Sequence, residues 1–303
     1  MGSTRAVIPV VVSAVALAAT TLLFTSGGLA ATRTGWQYEA IGEAGLPASV
    51  LHGAARIRLA VIDTGADLSA PGIAARHPAT YDVRTGGREV HDLNGHGTFV
   101  ASLAARASGD ARLLIVKAGS SSGAFSNAAE ATAIRYAVDH GAQIVNLSLG
   151  SPQSSAPERA AVAYAAAHGV LLVAPVGNGY GTAAEYPAAL LGDAGLAVAA
   201  STKSGMHARF SNSGSWVSVA APGEDVLGDL LGGRPGDGSG TSFAAPLVAG
   251  AAALVWAANP ALRARDVARI LEQTASAAGS WTPGLGFGVI DVAAAVARAR
   301  ATN

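Results

Sequence analysis

Leu59-Ala60-Val61-Ile62-Asp63-Thr64-Gly65 is the stretch from which the fold is read: an unbroken apolar run that stops on a carboxylate and a glycine. An apolar run without polar alternation is expected of a parallel strand buried on both faces. Two later segments each open a helical pattern, Asn94-Gly95-His96-Gly97-Thr98 and Gly240-Thr241-Ser242-Phe243-Ala244-Ala245-Pro246. Together they hold Asp63, His96 and Ser242, the three residue types of a hydrolytic triad. Such triads arise on unrelated folds, and chain order separates them. The order here is Asp…His…Ser, neither His…Asp…Ser nor Ser…Asp…His. Ser242 also lacks the Gly-x-Ser-x-Gly elbow of esterases and lipases.

Working outward, short apolar runs at 58–63, 112–118, 143–149, 170–176, 196–200 and 217–220 read as strands. Ala-rich periodic segments at 96–107, 127–140, 157–168, 241–257, 265–275 and 292–300 read as helices. Alternation of the two predicts an α/β protein with three α/β/α layers and a mostly parallel central sheet. Reactive groups in such a fold gather where strands end. Asp63 ends a strand, and His96 and Ser242 begin helices, so all three can meet at one edge of the sheet. No repeat, linker or second domain is evident.

Composition narrows the chemistry. The 303 residues are 50% hydrophobic and 13% charged, which supports a large core. The formal net charge is +0 and there is no basic run, which argues against nucleic acid and against an anionic membrane surface as partners. No cysteine is present, so thiol catalysis, disulfides and cysteine-ligated metals are excluded. Arg5, the apolar stretch 6–24 and the small residues Thr25-Ser26-Gly27-Gly28-Leu29-Ala30-Ala31 read as a secretory signal over 1–30. An uncleaved N-terminal anchor is the alternative, since the stretch approaches the length of a membrane span. After it, no apolar run long enough to span is free of Gly or polar breaks.

At its three motifs the chain resembles the subtilisin-like serine peptidases. Val61-Ile62-Asp63-Thr64-Gly65, His96-Gly97-Thr98-x-Val100-Ala101 and Gly240-Thr241-Ser242-x-Ala244-x-Pro246 follow the family's order and spacing. Asn146-Leu147-Ser148-Leu149-Gly150, Gly177-Asn178, Tyr186-Pro187, Ala221-Pro222-Gly223 and Gly286-x-Gly288 with Asp291 extend the resemblance over nearly all of 31–303. It implies a serine endopeptidase in which Ser242 is the nucleophile, His96 the base and Asp63 the residue that orients it. It further implies an oxyanion hole that includes Asn178. Ser148, Leu149 and Gly150 would line an extended peptide. Pro175, Val176 and Gly177 would wall the pocket for the residue before the scissile bond. Glu185 precedes Tyr186-Pro187 and so falls at the base of that pocket, where it would favour Lys or Arg; a solvent-exposed loop glutamate is the plain alternative. Asp92, just upstream of His96, could similarly touch a nearby basic residue.

Each assignment has a competitor. Ser242 could be a helix cap, and Asn178 between two glycines a turn residue. A catalytically silent binding protein on the same fold and an esterase are the rival functions; intact Asp63, His96, Asn178 and Ser242 argue against the first, and chain order against the second. His52, His77, His91, His140, His168 and His207 carry no motif, and no metal is assigned to them. Two departures from the resemblance stand out. No prodomain is recognisable before Trp36-Gln37-Tyr38-Glu39-Ala40-Ile41, which leaves a separate inhibitor or folding helper open. Many relatives carry a calcium-binding loop after the His96 helix, but here only Ala107-Ser108-Gly109-Asp110 remains. One carboxylate is far short of the roughly six to eight oxygens calcium takes, so that site is expected to be absent and no cofactor is assigned. A monomer acting on protein or peptide substrates is the expectation.

Overall fold

The computed structural model describes residues 35–277 and 279–302. The segment 1–30, read as a signal or anchor, lies outside the described residues. Helices α1 (Trp36–Ala40) and α2 (Ala48–Gly53) lead into β1 (Arg58–Asp63). There follow α3 (Pro71–Ala74), β2 (Ala79–Asp82), α4 (His96–Ala107), β3 (Arg112–Lys117), α5 (Asn127–Asp139), β4 (Ile144–Leu147), α6 (Ala156–Ala167) and β5 (Leu171–Pro175). Then come β6 (Gly195–Ser201), β7 (Val219–Pro222), β8 (Val226–Asp229), β9 (Pro235–Gly238), α7 (Thr241–Ala258), α8 (Ala264–Thr274) and α9 (Val292–Arg300).

Seven strands form one sheet in the order β2-β3-β1-β4-β5-β6-β7, and every neighbouring pair is parallel. β1 lies between β3 and β4, with Asp63 opposite Lys117 on one side and Ile62 opposite Leu147 on the other. The winding therefore reverses at β1, the place where sheets of this kind form a crevice beyond the carboxyl ends of the strands. Alternate residues of β1 feed two cores: Leu59 and Val61 join the cluster containing α4 and α7, whereas Ala60 and Ile62 join the one under α5 and α6. This two-sided burial makes β1 read as an unbroken apolar run, and it builds the three layers expected.

The expected strands and helices form, with ends shifted by a few residues. β4 stops at Leu147 rather than 149, because Ser148-Leu149-Gly150 leaves the sheet at the crevice edge. β7 covers Val219–Pro222 rather than 217–220. β2 was not expected from sequence; it is a short, partly exposed edge strand, Ala-Thr-Tyr-Asp, with little apolar signal. The β8–β9 hairpin was also unexpected, since Pro235-Gly236-Asp237-Gly238 reads as loop.

Helix α7 is the central pillar. Thr241–Ala258 is long and apolar enough to cross a membrane, yet 83% of it is buried inside the fold. It packs against α4 so closely that a methyl at Gly250 would sit 2.6 Å from the Ala107 backbone. Alanine normally gains about 0.5–1 kcal/mol over glycine inside a helix. Here the clash is with backbone, and overpacking costs about 1–3 kcal/mol. Gly250→Ala is therefore predicted to lower Tm despite the better helix propensity, as a thermal melt would show.

Candidate active site

The crevice at the end of β1 holds the Asp63 carboxylate, 1% exposed. Its Oδ1 accepts the Thr64 N–H at 2.7 Å and faces His96 Nδ1 at 2.7 Å. His96 is the first residue of α4, reached through Gly95 in a left-handed conformation with φ of 97°. Its side chain is 13% exposed and lies beside the Phe243 ring, with centroids 5.6 Å apart. Burial disfavours the imidazolium, but the Asp63 charge and hydrogen bond outweigh it, with help from Asp92, so the His96 pKa stands above the ordinary histidine value.

Asp92 is the site residue that sequence reasoning placed wrongly. It is buried, and its carboxylate is committed within the protein rather than offered to a substrate. Oδ1 accepts from Thr64 Oγ1, Asn94 N and Gly95 N, each at 2.9 Å. Oδ2 accepts from Thr98 N at 2.8 Å and Thr98 Oγ1 at 2.7 Å. Asp92 thus fixes the first turn of α4 to the residue after Asp63 and adds negative charge where the helix N-terminus is positive. Thr64 Oγ1 also accepts Gly97 N at 3.0 Å. Buried Lys117, at the end of β3, donates to Thr64 O at 2.8 Å and to His91 O, pinning the two loops together. Nothing local in the sequence marks Asp92 or Lys117 for these roles.

Ser242 is the second residue of α7 and is partly exposed. Its backbone is held from just beyond β4: Ser148 Oγ donates to Ser242 O at 2.8 Å and accepts at 2.8 Å from Nδ2 of Asn146 within β4. The structure brings Asp63 to His96 directly, whereas no hydrogen bond joins Ser242 Oγ to His96 among the described residues. Such bonds are often loose before substrate arrives. Asn178 Oδ1 accepts both Thr241 N and Thr241 Oγ1, each at 2.9 Å. That leaves the Asn178 amide group as a donor next to the start of α7.

The opposite wall gathers Gly150, Gly177 and Glu185. A Cβ at Gly150 would lie 2.7 Å from Glu185 Oε2, and one at Gly177 would lie 2.5 Å from Glu185 Cδ. Only glycines leave room for this side chain, and Gly177 also has φ of 98°. Reciprocal backbone bonds between Ser151 and Tyr186, at 2.9 and 2.8 Å, draw Glu185 against Gly150. Pro175 and Val176 are buried at the end of β5, and Leu149 is buried beside Gly150. Burial raises the Glu185 pKa above the ordinary glutamate range. In the short α4–β3 connection, the Asp110 carboxylate is engaged by His52 at 2.7 Å and Arg76 at 3.4 Å.

A parallel α/β/α sheet with an Asp–His pair beyond its first strand and a serine at the start of a buried helix defines the subtilisin-like class of folds. The family model described as "Subtilase family" matches residues 55–289, and the chain belongs to that family. It is 35% identical over 236 residues to the thermophilic serine proteinase of Bacillus sp. (strain AK1), covering 75% of this chain and 58% of that one. It is 35% identical over 248 residues to Subtilisin Savinase of Lederbergia lenta, covering 79% of this chain and 90% of that one. Among solved structures it is similar to a cold adapted subtilisin-like serine proteinase, with a TM-score of 0.74, 27% identity, and coverage of 85% of this chain and 97% of that one.

The charge arrangement predicts a proton titration. By NMR the His96 ring should titrate above about 6.5, the ordinary histidine value, and Asp92→Asn should move it down. An unchanged value in that variant would contradict the electrostatic role of Asp92.

Proposed function

We propose that this chain is an exported serine endopeptidase that cleaves peptide bonds through an acyl-enzyme. The observation that carries the reading is the buried Asp63–His96 pair at 2.7 Å, set beside a serine whose backbone is tied to Ser148, just beyond β4. Asp63 holds the proton on His96 Nδ1, which leaves the Nε2 lone pair free as base. Ser242 Oγ attacks the scissile carbonyl while its proton passes to Nε2. The tetrahedral oxyanion is received by the Asn178 amide and the Ser242 backbone N–H, two donors fixed before the charge develops. Collapse breaks the C–N bond, and His96 returns the proton to the leaving amine. Water, activated by the same histidine, then hydrolyses the ester.

The peptide lies extended along Ser148-Leu149-Gly150 and is held by strand-like backbone bonds. Its side chain before the scissile bond enters between Gly150 and Pro175-Val176-Gly177 and ends near Glu185. A carboxylate that pairs with no cation among the described residues, at the floor of a pocket, suits Lys or Arg. The N-terminal segment, read as a signal or anchor, supports export. The reading carries no metal at the α4–β3 connection, and a monomer suffices because the site is built from one chain. Completeness of the polar set favours catalysis over a silent binding protein on the same fold.

Two experiments test this reading. Fluorophosphonate should label the purified protein and fail on Ser242→Ala; labelling that ignores Ser242 would overturn it. Glu185→Ala should lower the preference for Lys over Phe substrates by about 10- to 100-fold, the scale of a hydrogen bond to a charged group. Because burial raises the Glu185 pKa, the wild-type preference for Lys should grow as pH rises through that value. Selectivity that is flat with pH and unmoved by the substitution would remove Glu185 from the pocket.

A further inference from the structure

The loop from Val176 to Tyr186 carries both Asn178 and Glu185 but has no helix or strand of its own. It contains Gly177, Gly179 and Gly181, and Tyr180 at its tip is 71% exposed. Such a loop is free to move unless something holds its backbone polar groups. One side chain does most of that holding. Asn212 is 1% exposed. Its Oδ1 accepts Gly179 N at 2.8 Å and Gly181 N at 3.3 Å. Its Nδ2 donates to Val176 O at 3.1 Å and, at a longer 3.4 Å, to Ala183 O. Its own backbone N–H donates to Gly177 O at 2.9 Å. The four bonding positions of the amide are all used on the one loop.

The neighbours of Asn212 extend the frame and fasten it to the sheet. Phe210 O accepts Tyr180 N at 3.1 Å, and Ser213 N donates to Gly181 O at 2.9 Å. Ser211 Oγ accepts Ala200 N of β6 at 3.1 Å. Asn212 and Glu185 meet at Gly177, where an added Cβ would lie 2.6 Å from Asn212 Nδ2 and 2.5 Å from Glu185 Cδ. The amide therefore braces the loop on both sides of Asn178 and beside the pocket floor.

We propose that Asn212 is a positioning residue that sets the aim of the Asn178 amide and the place of Glu185 in the specificity pocket. It touches neither substrate nor reacting atoms and acts through these two residues, so the inference rests on the roles proposed for them above. A loop that sags by about 1 Å costs a preorganised donor much of its value, on the order of 10²-fold in rate. An alanine at 212 leaves four backbone groups without their partner.

The test is a double-mutant cycle on the full chain, with rates taken per molecule titrated by fluorophosphonate so that partial unfolding does not count. Asn212→Ala should lower kcat by about 10- to 100-fold with a smaller change in KM. The Lys-to-Phe preference should fall toward that of Glu185→Ala. In an Asn178→Ala background the same substitution should change kcat by less than about threefold, because the two act as a unit. Ser102→Ala, a buried hydroxyl of α4 bonded to Asp229 N, is the stability control and should lower Tm without moving the preference. Asn212→Ser, whose single hydroxyl cannot serve both sides of the loop, should repeat the loss if the alanine variant folds poorly. Full additivity with Asn178→Ala, or an unchanged preference in variants that melt lower, would overturn the proposal. If Asn178→Ala and Glu185→Ala are themselves without effect, the reading of the site falls instead.

Discussion

The first turn of α4 and the Val90–Asp92 loop before it both press on the end of β1, and they fit only because Gly97 and Gly65 carry no side chain. A Cβ on Gly97 would lie 2.2 Å from Gly65 O, and one on Gly65 would lie 2.3 Å from Val90 O. Gly65 also has φ of 118°, which L side chains rarely adopt. This double approach brings the residue that opens a helix within hydrogen-bonding range of the residue that ends a strand. The Asp92 and Thr64 bonds then hold the helix start in that place, and the Asp63–His96 distance follows. Two glycines that look like punctuation in the sequence are thus the steric condition for the pair.

Much of this was legible because it is local. β1 is continuous in apolar character because both its faces are buried, and α4 spans the residues its periodicity suggests because Gly95 sets its start. Asp63, His96 and Ser242 could be picked out because each sits in a short segment with its own constraint. The resemblance to the family then supplied Asn178 and Glu185, which no periodicity singles out. What was not legible is tertiary. β2 has a polar, half-exposed sequence because it is an edge strand. Asn212 lies in Phe210-Ser211-Asn212-Ser213-Gly214, which reads as a turn until the loop it braces is in view. Asp92 looks like a free acid near a basic substrate until five donors converge on it.

Those donors explain a contrast that burial alone would hide. Asp92 and Glu130 are both nearly inaccessible, at 7% and 4% exposed. Burial raises the pKa of each, yet Asp92 ends below the ordinary carboxylate value, because the bonds from Thr98, Gly95 and Asn94 favour its charge. Glu130 on α5 has no such donors. Burial, then the charge and hydrogen bond of Glu158 on α6, push it up to about 8. Glu158 is raised as well, by burial first, although its Oε2 accepts Ser155 N at 3.2 Å in the capping box of α6. Both carboxyls, one on α5 and one on α6, lie on the face of the sheet away from α7, and burial favours the protonated form of each. A strongly perturbed acid is often taken as the mark of a reactive site, and in this chain that rule leads away from the proposed site. Glu130 and Glu158 are buried between α5 and α6, at 4% and 2% exposed. At the end of β1, His96 and Ser242 are partly exposed and backed by many donors, so access and hydrogen-bond supply, rather than the size of a pKa shift, are what favour the proposed site.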